Sequence, residues 1–218
     1  NNTTGSGNTA VGLNSLLANT IGKNNTATGQ QALTANTTGI ANSAFGYLAL
    51  SSNTVGVNNT AFGYKSLTAN TIGYNNSAFG YKSLFANTTG TYNTAIGFGT
   101  LQTNTTGSFN SAFGHAALLL NVGGSNNSAF GYFALFNNTT SNNSAFGFNA
   151  LRTNTIGTYN VAVGLNALYS NTTGSFNIGI GPGALQVNTI GDKNTAVGYV
   201  ALQFNTIGVN NNAFGGYA

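Results

Sequence analysis

Residues 59–75 read NTAFGYKSLTANTIGYN, and residues 76–92 read NSAFGYKSLFANTTGTY. The near-duplication is one instance of a pattern that runs the length of the chain. Taking the glycine of each Ala-x-Gly triplet as a reference, copies fall at Gly12, Gly29, Gly46, Gly63, Gly80, Gly97, Gly114, Gly131, Gly147, Gly164, Gly181, Gly198 and Gly215. Every interval is 17 residues except the 16 between Gly131 and Gly147. Self-similarity at a short fixed period marks a solenoid, in which each unit buries its apolar face only against its neighbours.

Seventeen residues cannot hold a strand, a helix and two turns. The Gly, Asn, Thr and β-branched content also argues against helix. Two short strands and two turns fit, so the expected fold is all-β: a parallel β-solenoid, or β-roll, of about thirteen 17-residue coils with two short strands per coil. Within NTAFGY, alternation puts Thr60, Phe62 and Tyr64 on one side and Asn59, Ala61 and Gly63 on the other. The segment Asn-Thr-Thr/Ile-Gly reads as a turn in which the closing glycine, such as Gly73 or Gly90, supplies a positive φ. That glycine is missing from NNTTSNN at 137–143, which places the one-residue deletion in the loop.

Asparagine is invariant four residues before the reference glycine (Asn59, Asn76, Asn93) and seven after it (Asn70, Asn87, Asn104). Stacked at about 4.8 Å, identical amides can bond copy to copy in a ladder. Turned inward, they can also satisfy turn backbone groups. Leucine is invariant four after the glycine (Leu67, Leu84, Leu101). Together with the Phe/Val/Ile column (Phe62, Phe79), it is expected to form the dry core ladder. The nearly fixed Ala61, Ala78, Gly63 and Gly80 imply close approach of another backbone layer, either the opposite wall of a thin coil or another chain. Phe62, Tyr64 and their equivalents crowd the face opposite alanine. If one of the two faces is the coil interior, the other is expected to be a protein interface, because long aromatic ladders left in water associate. Tyr47, Tyr64, Tyr81, Tyr132 and Tyr199 are the interface candidates.

Composition narrows the function. Charged residues are 3% of the chain, and the net +4 comes from Lys23, Lys65, Lys82, Arg152 and Lys193, spread without a cluster. Nucleic-acid binding needs a concentrated basic face, so no nucleic-acid partner is expected. With a single Asp (Asp192), no Glu and no Cys, neither a general acid/base pair nor a thiolate metal site can be assembled. No catalytic residue, cofactor site or metal site is expected. Asp192 reads as a solvated turn residue, and His115 as a partly buried surface substitution at a position held by Tyr in several other copies. GIGPG at 179–183 lacks the lysine of a phosphate loop. The longest apolar run, AALLLNV at 116–122, is far short of the roughly 18 residues of a membrane span. The 41% hydrophobic content, with its aromatics in register, argues against disorder. The chain contains no Met and opens without a signal-like start, which suggests a processed protein or a window from a longer one. Residues 1–218 read as a single continuous array uncapped at both ends, a segment of a longer array or a unit stacking end to end.

The pattern NTAVGxxAL…NTTGxxN, seen at Asn194–Gly198 for its first part, resembles the repeats of phage and prophage tail-fibre-like proteins and large bacterial surface proteins. It is also similar to the head repeats of trimeric autotransporter adhesins. The resemblance covers the whole chain and implies a parallel β-roll, usually trimeric, that displays or extends an adhesive tip. The expected function is therefore an extracellular structural or adhesive fibre at a cell or virion surface. Its expected partners are copies of itself, a trimer among them, with surface glycans as a further candidate. The alternative is an ice-binding solenoid using the threonine column that runs from Thr20 to Thr206.

Overall fold

The structure, a computed structural model, describes residues 2–218. Two compact units divide the chain, Asn1–Phe109 and Asn110–Ala218. The first carries β1 (Thr9–Val11), β2 (Thr26–Thr28), β3 (Ser43–Phe45), β4 (Thr60–Phe62), β5 (Ser77–Phe79) and β6 (Thr94–Ile96). The second carries β7 (Ser111–Phe113), β8 (Ser128–Phe130), β9 (Ser144–Phe146), β10 (Val161–Val163), β11 (Ile178–Ile180), β12 (Thr195–Val197) and β13 (Asn212–Phe214). Within each unit, successive strands pair parallel and in register, as in Ala44↔Ala61 and Phe45↔Phe62 or Ala129↔Ala145 and Phe130↔Phe146. The fold is a parallel β-solenoid with one coil per repeat, and no helix occurs among the described residues.

Each coil has one strand, not two. Where a second strand was expected, the chain makes two linked tight turns. In the coil at 59–75, Ser66 N–H bonds Gly63 O, and Asn70 N–H bonds Leu67 O. Residues two and four after the reference glycine are left-handed throughout this segment: φ is 54° at Lys65 and 51° at Leu67, and 55° at Leu48 and 53° at Leu50. A left-handed conformation costs roughly 1–3 kcal/mol for such residues. It persists because neighbouring coils fix it. Leu67 N–H reaches Ser83 O at 2.9 Å and Lys65 N–H reaches Tyr47 O at 2.9 Å, while the Leu67 side chain is fully buried.

The interior is narrow and is filled by a few columns of side chains. Alanine from the strand (Ala61, Ala78), leucine from the turn pair (Leu67, Leu84, Leu101) and the asparagines of both columns in these coils (Asn59, Asn76, Asn70, Asn87) are all buried. A further buried column of small residues, Ala49, Ser66, Ser83 and Thr100, precedes each leucine. The expectation that Phe62 and Phe79 join this core is not met. They are 53% and 37% exposed, on the outer face of the same strand. Strand alternation forces this outcome, since alanine occupies the inward position and a coil this thin has no room for a phenyl ring there.

A small residue is required at the alanine position by the facing walls of its own coil and of the preceding one. At Gly179, where alanine is replaced, an added Cβ would meet Ala184 O at 3.1 Å and Leu168 Cγ at 3.3 Å. Other coils accommodate that methyl, and a strand glycine is less favourable than alanine by roughly 0.5–1 kcal/mol. Gly179→Ala is therefore expected to shift stability by no more than about 1 kcal/mol, checked by thermal unfolding. A loss of several kilocalories would mean that this coil has contracted around its glycine.

Candidate functional site: amide ladders inside, aromatic columns outside

The two asparagine columns converge on one atom per coil. In the coil at 59–75, Gly73 O accepts Asn59 Nδ2 at 2.8 Å and Asn70 Nδ2 at 2.9 Å. The first bond ties the start of the coil to its end, and the second closes the final turn. The remaining hydrogen on each amide points to the preceding coil: Asn59 Nδ2 donates to Asn42 Oδ1 at 3.2 Å and Asn70 Nδ2 to Asn53 Oδ1 at 2.9 Å. On the other side, Asn59 Oδ1 accepts Asn76 N–H at 3.0 Å and Asn76 Nδ2 at 3.2 Å. Asn70 Oδ1 accepts Asn87 Nδ2 at 2.9 Å. Asn76, Asn87, Asn93 and Asn104 repeat the arrangement on Gly90 O and Gly107 O. Only a primary amide of this length both donates twice and accepts here, which explains why asparagine is not exchanged for aspartate or glutamine.

The closing glycines do not supply a positive φ, contrary to the sequence-based expectation. Gly73 and Gly90 are absent from the left-handed region, and their role is close approach. A Cβ on Gly73 would sit 2.5 Å from Gly90 O and against Asn70 Oδ1. The positive φ belongs to the reference glycines, 137° at Gly63 and 131° at Gly80, where a Cβ would likewise collide with the next coil's backbone. The short coil keeps the clamp without its glycine: Asn127 Nδ2 and Asn138 Nδ2 both donate to Thr140 O at 2.7 Å.

On the outer face, aromatic columns flank the reference glycines of several successive coils. Phe45, Phe62 and Phe79 follow one another at ring-centroid spacings of 5.2 and 6.2 Å. Tyr47, Tyr64, Tyr81 and Phe98 stack at 5.4, 5.2 and 4.8 Å, the last two contacts within 9° of parallel. In the second unit, Phe113, Phe130 and Phe146 form one column. His115, Tyr132 and Phe148 form the other, with His115 filling the tyrosine position by stacking at 5.1 Å on Tyr132. Tyr199 meets Tyr217 edge-on. Near-parallel rings this close cover one another's faces, which leaves edges to meet solvent or a partner. Three cations lie over aromatic rings: Lys65 over Tyr64, Lys82 over Tyr81, and Arg152 over Phe133.

Two sequence expectations change in character. The threonine column does not present free hydroxyl donors: Thr37 Oγ1 donates to Thr54 O and Thr54 Oγ1 to Thr71 O, each at 3.1 Å. Asp192 is half-buried and accepts Ser175 N–H at 2.7 Å, the role played one coil earlier by Ser175 Oγ toward Thr158 N–H. It is a coil-to-coil acceptor more than a solvated turn residue. The buried small-residue column of Ala49, Ser66, Ser83 and Thr100 was not singled out from the sequence, although its restriction to Ala, Ser and Thr was visible there. Comparison of the chain with protein-family models, with curated proteins and with solved structures finds no match.

Proposed function

We propose that this array is a structural segment of an extracellular fibre, at a cell or virion surface, that associates side by side through its aromatic columns. The observation that carries the reading is the division of labour across each strand. Inside, the clamp amides of the coil at 59–75 have partners for every donor and acceptor. Outside, Phe62, Tyr64, Phe79 and Tyr81 form a continuous exposed apolar strip. Contiguous apolar surface on a soluble protein marks an interaction site. With 3% charged residues, little electrostatic repulsion opposes association with another copy. A trimer, as the resemblance to adhesin heads implies, is one closed form of such an assembly. A surface glycan would have to approach ring edges and amide or hydroxyl groups, because the ring faces are covered by their neighbours.

The ice-binding alternative draws no support from the threonine column, whose hydroxyl hydrogens are engaged between coils.

Sedimentation velocity tests the proposal. The wild-type chain is expected to associate with rising concentration, and the double variant Phe62→Thr, Phe79→Thr to associate less at an unchanged circular dichroism spectrum. A wild type that stays monomeric across the concentration range would defeat the reading.

A further inference from the structure

We propose that Tyr47, Tyr64 and Tyr81 form an oxidative cross-linking site, at which a haem peroxidase with hydrogen peroxide joins adjacent coils through carbon–carbon dityrosine bonds. This proposal does not depend on the fibre reading. Three observations support it.

The first is proximity. Tyr47 and Tyr64 have ring centroids 5.4 Å apart with planes 24° from parallel, and Tyr64 and Tyr81 have centroids 5.2 Å apart with planes at 5°. Each of these rings therefore lies against the ring of the equivalent tyrosine one coil away, and both rings of a pair carry a carbon ortho to the hydroxyl. The second is access: the three residues are 38%, 42% and 40% exposed, enough for small oxidants and for electron exchange at the surface. The third is the absence of any competing thiol or thioether, because the chain contains neither Cys nor Met. Those sulfur side chains are the usual first targets of oxidation.

The chemistry balances. Each of two phenols gives up one electron and one proton, and the two electrons and two protons reduce one hydrogen peroxide to two waters. The two tyrosyl radicals couple ortho carbon to ortho carbon, forming one bond. Each ring then moves its displaced ortho hydrogen to its oxygen and regains a phenol. The product is a covalent tie between residues seventeen apart, in the direction of the stack. Tyrosines elsewhere in the array supply controls. Tyr132 stacks on His115 and Phe148, and Tyr159 stacks on Phe176, so neither ring is stacked against a tyrosine in those contacts.

The test treats the intact chain, at high dilution, with a haem peroxidase and hydrogen peroxide. Dityrosine fluorescence and peptide mapping are then read. Cleavage after Lys65 and Lys82 separates Tyr64 from Tyr81, so their link appears as two joined peptides lacking two hydrogens. The expected result is preferential Tyr47–Tyr64 and Tyr64–Tyr81 linkage within one chain. Tyr64→Phe preserves the ring stack but leaves Tyr47 and Tyr81 roughly 10 Å apart, and it is expected to abolish both links. Tyr132→Phe is expected to leave them intact. The proposal is overturned if the same pairs form equally in urea, if links join only separate chains, or if Tyr64→Phe leaves the Tyr64-region product undiminished. It is equally overturned if no dityrosine forms under conditions that couple free tyrosine.

Discussion

Asn70→Asp is expected to unfold the coils around residue 70 at neutral pH, and acidification is expected to restore them in part. The position is fully buried, and both hydrogens of its amide are engaged, one on Asn53 Oδ1 and one on Gly73 O. A carboxylate there faces two acceptors and can use only the Asn87 Nδ2 donor. Burial and the acceptors favour the protonated form, so the aspartate's folded-state pKa lies above its unfolded value. The sign follows from linkage: structure is retained below the ordinary carboxyl pKa of about 3.9 and is lost as pH rises through the elevated folded value. Asn70→Ala separates charge from lost hydrogen bonds. It leaves Asn53 Oδ1 without its donor and one Asn87 hydrogen without its acceptor. At roughly 1–3 kcal/mol each, the loss is about 2–6 kcal/mol and independent of pH. Thermal unfolding of both variants between acidic and neutral pH distinguishes the two effects. Identical pH profiles would show that a buried carboxylate carries no charge penalty in the ladder.

Gly63→Ala is the second large effect. The residue has φ of 137°, and an added Cβ would lie 2.5 Å from Gly80 O and 2.8 Å from Gly80 C. Backbone strain alone is worth roughly 1–3 kcal/mol, and the clash adds to it because the opposing atoms are backbone and cannot rotate away. Relief requires separating two coils, which breaks the Gly80 N–H to Phe62 O bond of 2.8 Å and the amide contacts beside it. Since a solenoid unit is held only by its neighbours, the expected outcome is loss of hydrogen-exchange protection centred on residues 59–92, with distant coils still protected. Gly216→Ala, where the nearest atom is 3.8 Å away, is expected to be silent. Uniform protection in the Gly63→Ala chain would refute the close-approach argument.

Much of this architecture was legible because each coil repeats the same physical constraint. Asn59 and Asn70 are invariant in their columns since an amide must serve both its own coil and its neighbour. Ala61 and Leu67 are fixed since the interior has room for little else. Three features were obscured. The outward placement of Phe62 runs against its hydrophobicity, and strand alternation could say only that it opposes Ala61. The left-handed turn pair was hidden by residue type: leucine and lysine give no local sign of positive φ, although equivalent positions hold Asn149, Asn166, Gly99 and Gly183, residues that favour it. The closing glycine invited a familiar turn explanation, while its actual constraint is close approach, to Asn70 Oδ1 in its own coil and to the carbonyl of Gly90 in the next. The candidate surface was legible as a set of aromatic positions, but the covering of their ring faces depends on stacking geometry.

The amide ladder has a direction. In the coils at 59–92, the side-chain nitrogen of each asparagine reaches back to the oxygen of the one before it: Asn76 to Asn59, and Asn87 to Asn70. A fracture between these coils would therefore create two unlike surfaces, one bearing bare amide nitrogens and the other bare amide oxygens. Fragments of this material could heal only head to tail, and two like surfaces pressed together would repel. Orientation would thus be transmitted through any regrown stack without a single charged residue to encode it.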